Sequence, residues 1–195
     1  MSTVLITGGC GFVGSHLARF LLERDYNVVL MDLNVNGKLI KDIKGKSVIV
    51  RADITDREQL TQTLKRHRAD VVAHYAALLS VETELNPHLG FKVDVEGVWN
   101  VLNAARDAEV NSVVFASSDA AYGPDASENA REDEHTIPET LYGISKQFGE
   151  MIGLWFHRKY GIQFVAFRYA SIIGPGRRDG GGSAYSTLMV QKPAQ

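Results

Sequence analysis

The stretch Thr3-Val-Leu-Ile-Thr-Gly-Gly-Cys-Gly-Phe-Val-Gly14 decides the fold. Thr3 to Thr7 is a short apolar run rich in β-branched residues, which reads as a buried strand. Phe12 to Arg24 places Phe12, Leu17, Phe20 and Leu21 at helical spacing, so a helix follows at once. Between them Gly8, Gly11 and Gly14 form a GxxGxxG pattern. Glycines in a strand-to-helix turn permit a sharp bend and close backbone approach to an anion. The helix start then offers free N–H groups and the positive end of its dipole. The expectation is a pyrophosphate cradle made by Gly8, Gly11, Phe12, Val13 and Gly14.

Working outward, Asn27 to Met31 reads as a second strand, and it ends on Asp32. A carboxylate there can accept hydrogen bonds from both hydroxyls of an adenosine ribose. It also repels a 2′-phosphate, and no arginine follows immediately to reverse the preference, so NAD is expected over NADP. Asp53-Ile54 follows a short third strand, Ser47 to Val50. This pair either flanks the adenine or, with Thr55 and Asp56, starts a helix. Cys10 lies in the glycine loop, where a helix N-terminus can lower a thiol's pKa. No histidine is placed nearby in sequence as an obvious activating base, and a small residue filling a tight loop is the simpler reading.

The remaining pattern repeats the alternation. Asp56 to Arg68 is a polar amphipathic helix, Asp70 to His74 a strand, Pro87 to Asp107 a long helical stretch and Ser112 to Ser117 a fifth strand. Leu141 to Tyr160 is a helix and Gln163 to Arg168 a sixth strand, while Gly123 to Glu139 is a polar, acidic loop. Strands alternating with helices imply an α/β fold, a doubly wound parallel sheet of the Rossmann kind. Residues 1–173 are expected to form the dinucleotide-binding domain. Residues 174–195 form a glycine-rich tail, with a short helical pattern at Ala184 to Val190, too small for a core of its own.

The 195 residues suit one domain, and a hydrophobic share of 45% is enough to build its core. A net charge of -2 gives no reason to expect nucleic acid or an anionic membrane as partner. No apolar run is long enough to span a bilayer, and Met1 to Thr7 lead into a strand with no basic leader. The single cysteine cannot pair internally, so a reducing, cytoplasmic setting is expected. No histidine or cysteine spacing suggests zinc, and no metal is expected.

A candidate for chemistry lies at Tyr142-Gly-Ile-Ser-Lys146, with Tyr and Lys on one face of a helix start. A phenol titrates near ~10, too high for a base at neutral pH, and a nearby ammonium favours its ionised form. Ser118 ends a strand, where ligands sit in open α/β sheets. Its hydroxyl can bind a substrate oxygen while Tyr142 takes or returns the proton. His74, also at a strand end, reads as a structural hydrogen-bonding residue, since Tyr142 already fills the role of base.

With these pieces the sequence resembles the extended short-chain dehydrogenase/reductase family, its NAD-dependent epimerase/dehydratase group. The matching segments are TGGCGFVG at 7–14, Asp32, HYAA at 74–77, GVWNVLNAAR at 97–106, SSDAAYG at 117–123, YGISK at 142–146 and FRYASIIGPG at 167–176. The resemblance implies a catalytic set of Ser118, Tyr142 and Lys146. It implies cofactor contacts from Gly8, Gly11, Gly14, Asp32, Asp53, Ile54 and the Ala76-Ala77 region, joined by Tyr142 and Lys146. It further implies hydride transfer between a nicotinamide and a hydroxyl-bearing carbon of a small-molecule substrate, either a sugar nucleotide or a small hydroxy or amino acid. Similar proteins dimerise through two helices, here those near 97–106 and 142–160.

The sequence also departs from the family pattern. Asp94 stands where the family often has Asn, Val98 where it has Thr, and Ser171 where sugar-nucleotide members carry Asn. Asp119 matches an acid of the sugar-nucleotide dehydratases, but Ala120 replaces the Glu that follows it there, which argues against a dehydratase. Ala77-Leu-Leu-Ser80 and Gly182-Ser-Ala-Tyr185 are similar to the threonine and hydroxy-acid dehydrogenases, and imply that Ser80 and Ser183 touch substrate. Ser80 serves equally as a helix cap or loop hydroxyl. Extended members continue into a C-terminal lobe over the substrate, most of which is expected to be absent here. A non-catalytic NAD-binding module is therefore the alternative expectation.

Overall fold

The computed structural model describes residues 1–134, 136–177 and 189. Six strands form one sheet: β1 (Thr3–Thr7), β2 (Asn27–Asp32), β3 (Val48–Arg51), β4 (Val71–His74), β5 (Ser112–Ser118) and β6 (Gln163–Tyr169). Their order is β3-β2-β1-β4-β5-β6, and every pairing is parallel. The helices between them are α1 (Phe12–Leu22), α2 (Arg57–His67), α3 (Ser80–Leu85), α4 (Pro87–Gly90), α5 (Gly97–Asp107) and α6 (Leu141–Tyr160). The chain reverses its direction of travel at β1, which pairs with β2 on one side and β4 on the other. Thr7 sits opposite both Met31 and His74. That switch point, outside the carboxyl ends of the strands, is where open α/β sheets bind ligands.

The two-residue period of the strands divides the core. Leu5, Val29, Met31, Val72, Val113 and Phe115 face α2, α5 and α6, packing on Leu60, Leu64, Val101, Leu102 and Phe156. Val4, Ile6, Val28, Leu30 and Ala73 point the other way, onto Ala18 of α1 and onto Ile40 and Ile43. On this second face Val165 and Phe167 of the edge strand β6 stay about half exposed. Two glycines of α6 bring helix and sheet unusually close. A Cβ at Gly149 would lie 2.4 Å from the Phe115 ring, and one at Gly153 2.1 Å from the Phe164 ring. Each glycine is therefore the socket for an aromatic ring of the sheet.

The sequence reading held for the six strands and for α1, α2 and α6. It differed over 80–107. Ser80–Leu85 is a helix the sequence reading lacked, and the stretch from Pro87 to Asp107 is α4 and α5 joined through a π-helical turn, Phe91–Glu96. A short 3-10 turn at Lys38–Ile40 was also missed. Three residues cannot show a helical period, and a π turn leaves the apolar spacing of its neighbours intact. The helical pattern at 184–190, apart from Met189, and Gly180 to Gly182 fall outside the described residues.

Candidate active site

The glycine loop has the shape its sequence requires. Gly8 adopts φ +66, and a Cβ there would meet the Ala76 backbone N at 2.7 Å. A Cβ at Gly14 would meet the Gly8 carbonyl oxygen at 2.4 Å, so the helix start lies directly on the loop. Gly11 caps α1, and among the described residues the only close neighbour of a Cβ there is the Gly8 carbonyl oxygen at 3.1 Å. First-turn amides of Phe12, Val13 and Gly14 have no intrahelical acceptor, and no acidic side chain occupies that turn. The helix end is thus left positive and open to an anion. These features fit a pyrophosphate cradle.

Asp32 reaches the same loop. One carboxylate oxygen accepts the Cys10 N–H at 3.0 Å and the other accepts the Asn34 N–H at 3.0 Å. Each oxygen keeps a further lone pair for a ribose hydroxyl. Cys10 is buried, and burial with the Asp32 charge pushes its thiol up to about 11, against a reactive role. Asp53 lies further along. Its side chain accepts the Thr55 N–H at 2.8 Å, and Asp56 then caps α2 by accepting the Gln59 N–H. Ile54 turns its side chain into the core, where its Cδ1 would sit 2.7 Å from a Cβ at Gly97. The helix-start alternative thus describes the Asp53 side chain.

The second cluster forms where β5 ends and α6 begins. Thr140 caps α6 by accepting the Gly143 N–H at 3.0 Å, and Glu84 of α3 accepts the Leu141 N–H at 2.9 Å. A Cβ at Gly143 would lie 2.4 Å from the Ala120 carbonyl oxygen, so the residue after Tyr142 lets the helix abut the loop carrying Ser118. The Ser118 hydroxyl lies close enough to the Tyr142 phenol to favour its ionised form, donates to Asp119 at 2.9 Å and accepts the Ala120 N–H at 3.2 Å. Lys146, one turn on, is buried. Its ammonium donates to the Ala116 carbonyl at 2.9 Å and lies 5.2 Å from the centre of the Tyr142 ring.

The electrostatics differ from the sequence expectation. Burial pushes the Tyr142 phenol up to about 12, helped by the Asp94 and Asp119 charges and opposed by Ser118. Burial likewise pushes Lys146 down to about 8, opposed by Asp94. Desolvation outweighs Ser118 at the phenol and the Asp94 charge at the ammonium. His74 is held by Thr7 at 2.6 Å through its Nδ1, and burial pushes it down to about 3, so it is neutral.

The structure therefore gathers Ser118, Asp119, Tyr142 and Lys146 in one cluster, and the glycine loop with Asp32, Ala76 and the adjoining Ala77 in another. Ser80 opens α3 and its carbonyl accepts the Thr83 hydroxyl at 2.8 Å. Ser183 lies outside the described residues. Sequence reasoning missed Glu84 and Thr140 as the residues that seat Tyr142. Thr140, three residues before Gly143, carried a cap signal; nothing local marked Glu84. Behind the cluster, Glu150 binds Arg168 at 2.7 Å, and the Ser117 hydroxyl donates to the same carboxylate. Among the described residues no group of three or more His, Cys, Asp or Glu could hold a metal, and no helix is long and apolar enough to cross a membrane.

A parallel sheet in this order, with a glycine-capped helix at its switch point, defines a dinucleotide-binding protein. Residues 4–194 match the model of the NAD dependent epimerase/dehydratase family, and the chain belongs to that family. It is 31% identical, over 97% of its length, to a putative UDP-glucose 4-epimerase of Methanocaldococcus jannaschii, of which it covers 62%. It is 34% identical, over 96% of its length, to the mitochondrial L-threonine 3-dehydrogenase of Bos taurus, of which it covers 50%. The crystal structure of a Thermus thermophilus UDP-glucose 4-epimerase complexed with NAD superposes with a TM-score of 0.89 at 32% identity, over 97% of this chain and 62% of that one. The chain thus spans half to about three fifths of these relatives.

Proposed function

We propose that this chain carries the NAD site and the proton-transfer groups of an oxidoreductase or epimerase. Such an enzyme moves hydride between a nicotinamide and a hydroxyl-bearing carbon of a sugar nucleotide or a small hydroxy or amino acid. The observation that supports it is the meeting of Ser118, Tyr142 and Lys146 at the carboxyl end of β5. The glycine loop with Phe12 and Val13 would hold the pyrophosphate, and Asp32 the adenosine ribose. Asp53 and the Ile54 backbone would flank the adenine, and Ala76, whose backbone N lies 2.7 Å from a Cβ at Gly8, would with Ala77 border the cofactor. When bound, NAD supplies the hydride acceptor, and its oxidised ring is a cation that favours a phenolate nearby.

Tyr142 takes the hydroxyl proton of the substrate as the carbon is oxidised, and returns it on reduction. Ser118, turning its one proton from Asp119, donates to the substrate oxygen and keeps it against the phenol. Lys146 lends positive charge beside the Tyr142 ring. Asp119, hydrogen-bonded to Ser118 and exposed, borders the substrate side; Ser80 and Ser183 are proposed there by resemblance. Ala120 in place of a second acid leaves the acid/base pair for water elimination incomplete. The test is titration with NAD followed by NADH formation over UDP-glucose, UDP-galactose, L-threonine and hydroxy acids. NADH formed with one of them supports the reading. Tight NAD binding with no turnover or epimerisation of any would favour the cofactor-binding module, a reading supported by the chain's partial span of its relatives.

We also propose a homodimer through α5 and α6, in a reducing cytoplasmic setting. Trp99, Ile144, Met151, Leu154 and Trp155 leave 36–65% of their surface exposed on these helices, whereas Val98, Val101, Leu102 and Phe156 are core. Sedimentation is expected to give twice the chain mass; a monomer at micromolar concentration would remove the dimer.

A further inference from the structure

Tyr142, Lys146 and Glu150 recur every fourth residue along α6, so they share one stripe of the helix. The stripe faces the carboxyl end of β5. Tyr142 lies beside Ser118, Lys146 donates to the Ala116 carbonyl, and Glu150 accepts the Ser117 hydroxyl at 2.5 Å. Opposite Ser117 in the sheet stands Arg168 of β6. Its guanidinium grips the Glu150 carboxylate through two N–H bonds of 2.9 and 2.7 Å. The same guanidinium lies over the Tyr122 ring, 4.3 Å from its centre. Its Nη1 is buried with no hydrogen-bond partner among the described residues, which leaves the ring face as compensation.

These contacts hold the Ser118 turn at both of its ends. Ser117 precedes Ser118, and Tyr122 follows the 3-10 turn Asp119–Ala121. The Tyr122 N–H donates to the Asp119 carbonyl at 3.0 Å, and the Tyr122 carbonyl accepts the Ile137 N–H at 3.1 Å, on the approach to α6. Both partners of the ion pair are largely buried, with 18% of the Arg168 side chain and 13% of the Glu150 side chain exposed. Burying such a pair gives little net stability, and an apolar pair of similar volume would join helix to sheet about as well. What the pair adds is direction. A two-pronged bond fixes the plane of the guanidinium, the plane seats the Tyr122 ring, and the carboxylate aims Ser117.

We propose that Glu150 and Arg168 are positioning residues that clamp the Ser118 turn from behind. They touch neither substrate nor cofactor; they act through Ser117 and Tyr122. The effect on turnover rests on the reading of Ser118 as the group that holds the substrate oxygen, whereas the hold on the turn does not.

The experiment replaces the pair as a unit, Glu150→Leu with Arg168→Met, in the full chain. The melting temperature is expected to stay within a few degrees, because no buried charge is left alone. Amide hydrogen exchange, followed by NMR, is expected to speed up about tenfold at Ala120 and Tyr122, the two N–H groups that bond within the turn. The amides of β1 and β4 are expected to keep their rates. Unchanged exchange at Ala120 and Tyr122 overturns the proposal. An equal acceleration throughout the sheet also overturns it, since the pair would then serve the whole fold. Should the double variant not fold, Ser117→Ala leaves the ion pair intact and removes one of its two grips. Faster exchange at Ala120 is expected there too, and its absence overturns the proposal. On any substrate the unsubstituted chain accepts, the double variant is expected to lose about 10- to 100-fold in kcat while KM and NAD affinity hold. Faster exchange in the turn with kcat unchanged supports the clamp and counts against Ser118 in proton transfer. A chain that turns over nothing fails the oxidoreductase reading, and the exchange rates still decide the clamp.

Discussion

Replacing Tyr142 by Phe is expected to lower kcat/KM on any accepted substrate by about 10²–10⁴-fold, the usual contribution of a positioned acid–base group. NAD affinity and melting temperature are expected to stay near those of the unsubstituted chain. The substitution removes one oxygen and keeps the ring, whose neighbours Gly143, Lys146 and the Ser118 loop remain in place. The lost hydroxyl leaves Ser118 its bonds to Asp119 and to the Ala120 N–H. Steady-state kinetics beside an NAD titration separate the two effects. A variant that keeps its turnover removes Tyr142 as the base. The high proton affinity of this phenol, about 12 in the chain without NAD, adds an expectation. Oxidation should accelerate with rising pH as the phenolate fraction grows, until Lys146 loses its charge near about 8.

The pair Gly11→Ala and Gly14→Ala is expected to separate cradle from scaffold. A methyl group at Gly14 must displace backbone, since the Gly8 carbonyl oxygen and the Gly9 Cα stand 2.4 and 2.8 Å from it. Overpacking of that kind costs about 1–3 kcal/mol. The Gly14 variant is expected to melt lower and to bind NAD about 10- to 100-fold more weakly, as α1 shifts off the loop. At Gly11 the nearest atom is 3.1 Å away, and φ is -77, ordinary for alanine. That methyl group occupies the side where the pyrophosphate is proposed to lie, so affinity falls while the melting temperature holds. Thermal melts and NAD titrations on both variants measure this. Gly11→Ala binding NAD as well as the unsubstituted chain would remove the loop as the phosphate site.

Most of the architecture was written locally. The β-branched runs, the glycine turn and the helical spacing of α1 and α6 are short-range signals, and each alone biases a few residues towards one conformation. Together they allowed only a parallel sheet with crossover helices. The residue types of the site were legible too, because GxxGxxG, an acid at the end of β2 and YxxxK serve chemistry through fixed spacing. The missed pieces were those whose cause lies elsewhere in the chain. The π turn at Phe91–Glu96 depends on where α4 and α5 must both dock. Glu84 seats α6 through a partner 57 positions away.

Protonation was the larger surprise. Sequence spacing put Lys146 beside Tyr142 and predicted a lowered phenol pKa. It could not supply the burial that raises the phenol and lowers the ammonium instead. Nor could it bring Asp94 to them from another helix. The sequence by itself determined the order of the strands' partners in chemistry: a glycine cradle at β1, an acid at β2, a serine at β5, and a tyrosine and lysine on α6. Only the tertiary structure decided how much water each of those groups loses and which charges replace it. Desolvation depends on every element packed around a group, and no local spacing encodes that.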